Sequence, residues 1–163
     1  VKFKKRKAMP RPLPPPDTLP TYEIKARPTV YKSITFRSQL EAQWASMFDY
    51  LKWKWDYEPF CVGGLWLPDF VIRNYIGRDG EPFSILIEVK PDESHVIQAK
   101  KKIDAAYAKE GGWVPYIILG GHCNMLYHDE HMQPWHDDAC FIECKLQSSR
   151  NWNRALLRVK QQN

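Results

Sequence analysis

Residues 83–89, Phe-Ser-Ile-Leu-Ile-Glu-Val, constrain the fold more than any other stretch. The segment follows a turn at Gly77-Arg78-Asp79-Gly80 and is too apolar to sit on a sheet edge. A strand that is apolar on both faces belongs in the middle of a sheet, with other elements covering each side. The chain has 163 residues. That length matches one domain, which most often runs to roughly 100–150 residues. A hydrophobic content of 44% excludes full disorder.

The neighbouring segments supply the cover. Leu40, Trp44, Met47, Phe48 and Leu51 recur every three or four residues and predict a helix over 38–51, with Ser38 and Glu41 at capping-box spacing. Trp53, Trp55 and Tyr57 alternate with Lys54, Asp56 and Glu58, which is the period of a strand. Gly63-Gly64 marks a turn, and 65–72 reads as a second strand with Pro68 at an edge or bulge. A second helix is expected from Asp92 or Ser94 to Glu110, with Val96, Ala99, Ile103, Ala106 and Tyr107 on its buried side, stopped by Gly111-Gly112. Residues 113–119 form a fourth strand, and another is expected around 140–146. A last helix over 149–160 carries Trp152, Ala155, Leu156 and Val159 on one side and Arg150, Arg154 and Arg158 on another. The order α-β-β-β-α-β with additions implies an α/β domain with a mixed central sheet flanked by helices.

Two placements of charge stand out. Glu88 and Lys90 close the apolar strand on the same face, because residues i and i+2 of a strand project together. Asp69 sits between Leu67 and Phe70-Val71-Ile72. Charges enter such places when they are paired or hold a metal. Two carboxylates and a carbonyl suit a hard divalent cation such as Mg²⁺, and a nearby lysine can orient water or stabilise charge on a phosphate. The bland reading of the same residues is a surface Glu88–Lys90 salt bridge with Asp69 in a turn.

Pro68-Asp69 followed, after 18 intervening residues, by Glu88-Val89-Lys90 resembles the PD-(D/E)XK nuclease superfamily. Phe36-Arg37-Ser38-Gln39-Leu40-Glu41-Ala42-Gln43-Trp44-Ala45, Tyr57-Glu58-Pro59, Pro91 and Leu119-Gly120-Gly121 are similar to small nucleases of phages and prophages. The likeness covers about residues 31–121. It implies a restriction-endonuclease-like core and a Mg²⁺-dependent DNA endonuclease, with Mn²⁺ able to substitute. Asp69, Glu88 and Lys90 would be catalytic, and Asp69, Glu88 and the Val89 carbonyl would be metal ligands. The first helix of the family often adds an acid, and Glu41 matches it; its other reading is the capping partner of Ser38. The implied products are a 5′-phosphate and a 3′-hydroxyl. Arg37, Gln98 and Lys101 fall where the family contacts DNA or lines its site, although the run Lys100–Lys102 also reads as a solvated helix face. The resemblance leaves two other functions open: an endonuclease subunit of a larger recombination, transposition or restriction complex, and a nucleic-acid-binding module without activity.

Charge agrees with a polyanionic partner only when split by position. The net charge is +5 overall, but residues 1–16 carry +6, residues 150–163 carry +4, and the stretch between carries −5. The basic ends are read as DNA contacts through Lys4, Lys5, Arg6, Lys7, Arg150, Arg154 and Arg158. Residues 1–20, with five prolines in 9–16, are read as an extended arm ahead of a single domain over 21–163. No apolar run reaches the ~20 residues of a membrane span, so no membrane partner is expected. No signal-peptide pattern appears, and four cysteines are too few for a disulfide scaffold, so a reduced, cytoplasmic setting is expected; the resemblance to phage and prophage nucleases implies a bacterial host. His122, Cys123, His128, His131, His136, Cys140 and Cys144 crowd into 23 residues, but their spacing fits no paired zinc hook, and structural zinc is not expected. Trp66, Trp135 and Trp152 are read as core, with stacking on bases as the alternative. Homodimer or heteromeric assembly is left open.

Overall fold

The apolar segment becomes the middle strand of a mixed sheet in a computed structural model that describes residues 26–77, 80–128 and 149–163. Strands β1 (Thr29–Tyr31) and β2 (Ile34–Phe36) form a short hairpin, followed by helix α1 (Gln39–Tyr50). Strands β3 (Lys54–Tyr57), β4 (Phe70–Ile76) and β5 (Pro82–Val89) come next. A 3₁₀ turn at Glu93–His95 leads into α2 (Val96–Glu110), then β6 (Tyr116–Leu119), β7 (Met125–His128) and α3 (Ser149–Lys160). The described strands of the main sheet lie in the order β3-β4-β5-β6-β7. Among the described strands, only β5 and β6 pair in parallel. A parallel pair needs a crossover, and α2 supplies it.

Period-two alternation sorts the sheet into two cores. Phe70, Ile72, Ile85, Ile87, Ile117 and Leu119 share one core with Trp44, Met47 and Phe48 of α1 and with Trp152, Ala155 and Val159 of α3. Val71, Leu86, Tyr116 and Ile118 share the other with Ala99, Ile103 and Ala106 of α2. Helix α3 is seated on α1 by polar and apolar contacts. The Trp44 and Trp152 rings lie 4.6 Å apart, and Gln43 Nε2 donates to the Trp152 carbonyl at 3.1 Å. Trp66 is fully buried and Trp152 nearly so, so both are core residues; Trp135 lies outside the described residues.

The helices fall where their stripes predict them, and the departures have physical causes. The second strand begins at Phe70 and not at 65, because Val62 and Trp66 close a tight loop first. Gly63 (φ +55°) and Gly64 (φ +67°) adopt left-handed backbone there. A Cβ on Gly63 would also strike the Ala106 carbonyl of α2, so the loop lies directly against that helix. The same strand runs on to Ile76 through a bulge in which Asn74 has φ +51°, which breaks the alternation that would have announced it. The β1–β2 hairpin turns at Lys32 (φ +48°) and Ser33 (φ +64°), residues that carry no Gly or Asn signal. The predicted arm at 1–20, the strand near 140–146 and most of the His/Cys-rich segment lie outside the described residues. Among the described residues, no helix is long and apolar enough to cross a membrane.

Candidate functional site

The paired strands β4 and β5 bring the two charged segments together. Phe70 pairs with Ile87, so the residue before β4 and the end of β5 are neighbours. Asp69 is almost fully buried, and its Oδ2 accepts the Val89 N–H at 2.7 Å. Its backbone carbonyl accepts the Glu58 N–H at 3.0 Å, which ties it to the end of β3. Glu88 is also buried. Its Oε2 accepts the Trp66 indole N–H at 2.8 Å, and its Oε1 accepts Lys90 Nζ at 2.6 Å. Lys90 thus shares a face with Glu88, as the i, i+2 spacing implies, and its own N–H is held by the Leu119 carbonyl at 2.9 Å.

The N-terminus of α1 closes the other side. Ser38 caps the helix by accepting the Glu41 N–H at 3.2 Å, and it donates its hydroxyl to Glu41 Oε1 at 2.9 Å. Glu41 Oε2 accepts from the Tyr57 hydroxyl at 2.7 Å and from the Arg37 N–H at 3.2 Å. The capping reading of Glu41 is therefore fulfilled, and its carboxylate is taken up by Ser38, Tyr57 and the Arg37 N–H. Arg37 joins the parts. Its Nη2 donates to Asp69 Oδ1, its Nε lies 2.9 Å from Glu58 Oε1, and Glu41 Oε2 is 3.9 Å away.

The electrostatics follow from this crowding. Burial first, and the Glu88 charge second, push the Asp69 carboxyl up from 3.8 to about 7, against the Val89 N–H and Lys90, which favour the carboxylate. Burial and the hydrogen bond to Glu41 raise the Tyr57 hydroxyl to about 12, so it stays a donor near neutrality. Desolvation works against the Arg37 charge, yet Tyr57, Asp69 and Glu41 hold its pKa above the ordinary value.

Asp69, Glu88, Val89 and Lys90 lie together at the ends of β4 and β5, and Arg37 reaches Asp69 while Glu41 binds Arg37 and Tyr57. Among the described residues, no three His, Cys, Asp or Glu side chains group so as to hold a metal ion. Glu41 is turned to Tyr57, Ser38 and Arg37, and Glu58 to Arg37. Gln98 and Lys101 are exposed on α2, whereas Arg154 and Arg158 are exposed on α3, across the sheet. Arg158 sits 5.8 Å from the Tyr50 ring. Lys4, Lys5, Arg6, Lys7 and the Arg150 side chain lie outside the described residues.

Three contributors escaped the sequence reading. Trp66 is the indole donor to Glu88, Glu58 is a partner of Arg37, and the Tyr57 hydroxyl binds Glu41. Tyr57 and Glu58 stand in the segment Tyr57-Glu58-Pro59 and Trp66 reads as core, but the sequence reading assigns none of them a place at the site. No protein-family model, no curated protein and no solved structure matches the chain.

Proposed function

We propose that the chain is a metal-dependent DNA endonuclease of the PD-(D/E)XK kind. One observation carries this reading: Asp69 and Glu88-Val89-Lys90, far apart in sequence, meet at the adjoining ends of β4 and β5 through the 2.7 Å bond from the Val89 N–H to Asp69. The element order α1-β3-β4-β5-α2-β6 supports it, because it follows the core order of restriction-endonuclease-like folds.

The donor set fits a hard divalent cation. It offers only carboxylate and carbonyl oxygens, and its two acids, Asp69 and Glu88, are both buried. Asp69 and Glu88 would hold Mg²⁺, with the Val89 carbonyl as a further oxygen. Such an ion would offset phosphate charge and make a water easier to deprotonate. Trp66 and Lys90 fix the two oxygens of Glu88. Lys90, only partly buried, presents its ammonium at the mouth of the site, where it orients water and stabilises charge growing on the phosphate oxygens. Water attacks phosphorus in line as the bond to the leaving oxygen breaks. The exposed Arg154 and Arg158 supply phosphate contacts away from the reacting atoms.

Cleavage of supercoiled plasmid in Mg²⁺ tests the reading. Wild type is expected to nick or linearise it, and Asp69→Ala to lose at least ~100-fold in rate. Equal cleavage by the two proteins overturns the assignment.

A second reading, a DNA-binding module without activity, is favoured by the ion pair between Arg37 and Asp69, which neutralises the acid without metal. Failure of the wild type to bind Mn²⁺ at millimolar concentration, with DNA binding intact, would select it.

A further inference from the structure

Arg37 is joined to the cluster in two separate ways. Its backbone is pinned, because its N–H donates both to Glu41 Oε2 at 3.2 Å and to the Tyr57 hydroxyl at 3.1 Å. Its side chain is not enclosed: it is 55% exposed, while the Asp69 side chain it touches is 3% exposed. The guanidinium therefore reaches in from solvent to cover the Oδ1 that the Val89 N–H leaves open. Glu58 Oε1, at 2.9 Å from Nε, is a second seat for the same cation. A guanidinium and a divalent ion on the same carboxylate repel each other, so each weakens the other's hold on Asp69.

We propose that Arg37 is the resident counter-ion of Asp69 and yields that oxygen to the divalent ion, turning to Glu58 and to solvent. Arg37 is thereby a positioning residue that sets how tightly the site takes metal. It keeps the empty site from exposing a bare buried charge, and it imposes a threshold concentration of metal. This inference rests on the metal-site reading above.

The test is Mn²⁺ binding to the full chain at neutral pH without DNA, followed by electron paramagnetic resonance of free Mn²⁺. Arg37→Gln is expected to bind Mn²⁺ roughly 10-fold more tightly than wild type, because the ion no longer displaces a charged hydrogen-bond donor. Arg73→Gln removes an equal charge from the Asp56 pair on the sheet and is expected to leave the affinity unchanged. Asp69→Ala is expected to abolish binding. Loss of binding in Asp69→Ala combined with equal or weaker binding in Arg37→Gln overturns the role of Arg37 alone. Wild-type affinity in Asp69→Ala overturns the metal site itself. Equal tightening by Arg37→Gln and Arg73→Gln reduces the effect to net charge and overturns the inference. A measurement on the unaltered protein stands beside these. The Arg37 Nε–H resonance, assigned by its loss in Arg37→Lys, is expected to shift as Mg²⁺ saturates the site. A resonance that stays fixed through saturation overturns the displacement.

Discussion

Trp66 shows how much of the proposed site depends on groups outside the Asp69, Glu88 and Lys90 cluster. Its ring is fixed edge-on between Tyr107 and Tyr116, with centroids 5.9 and 5.8 Å away, and its N–H is committed to Glu88. Trp66→Phe keeps most of that packing and deletes the donor. Groups that orient a metal ligand in this way are worth about 10–100-fold in metal affinity or activity. The Mg²⁺ concentration for half-maximal cleavage is accordingly expected to rise about 10-fold, measured by titrating Mg²⁺ in the plasmid assay. An unchanged midpoint would mean that Lys90 alone orients the carboxylate. Asp69 makes a prediction of opposite character. Its carboxyl titrates at about 7 in the fold, against 3.8 ordinarily. Between those values the folded chain holds a proton that the unfolded chain has lost, so this group's contribution to stability falls as pH rises from 3.8 to about 7 and is level above that. The urea midpoint should therefore drop across that range in metal-free wild type, and the slope should flatten in Asp69→Asn.

Strand parity alone places Glu88 beside Lys90, whereas Asp69 was tied to them only by the resemblance to the PD-(D/E)XK pattern. Their partners were not legible in the sequence. An arginine in the link between β2 and α1 reads equally well as a surface cation, and nothing in a linear pattern announces that Arg37 reaches back to Asp69 or that Trp66 aims its N–H at Glu88. Both contacts join residues more than 20 positions apart through loops. Loop paths depend on left-handed residues such as Lys32, Ser33 and Asn74, whose side chains give little warning of them.

At the scale of elements, the loop between β3 and β4 is the one that local chemistry determines most sharply. Gly63 combines left-handed backbone with contact against the Ala106 carbonyl, and its N–H donates to Glu110 at 2.8 Å. Gly63→Ala is expected to destabilise the fold by about 2 kcal/mol, from backbone strain and the push against α2, read from urea unfolding. Because Trp66 closes the same loop, cleavage should fall with stability in this variant, and the Mg²⁺ midpoint should rise as it does for Trp66→Phe. The helices were readable because each has one wide apolar stripe, and β5 because it is apolar throughout. The short β1–β2 hairpin and β7, three and four residues long, hold too few side chains to show a period.

At the scale of the whole molecule, charge and layer order act together. The helix with the exposed Arg154 and Arg158 covers one face of the sheet, and α2 covers the other. Arg154→Ala together with Arg158→Ala is expected to reduce the slope of log affinity against log salt by about 2, nearly one unit per lost phosphate contact. The Mg²⁺ midpoint should stay where it is. A salt slope that does not change would show that α3 is not a phosphate grip. Addition of Ca²⁺ is expected to tighten DNA binding by wild type and not by Asp69→Ala, measured by fluorescence anisotropy, because the acidic cluster repels phosphate until it is neutralised.

The seat of α3 carries one more consequence. Trp152, Ala155 and Val159 fix the helix against α1, while Asn153, Arg154, Leu157 and Arg158 face outward and are exposed. Attachment and surface are thus written in different letters of the same twelve-residue helix. The outward letters can be rewritten without unseating it. If α3 grips phosphates as proposed, changes at these outward positions would alter what the proposed site is presented with and leave its residues untouched.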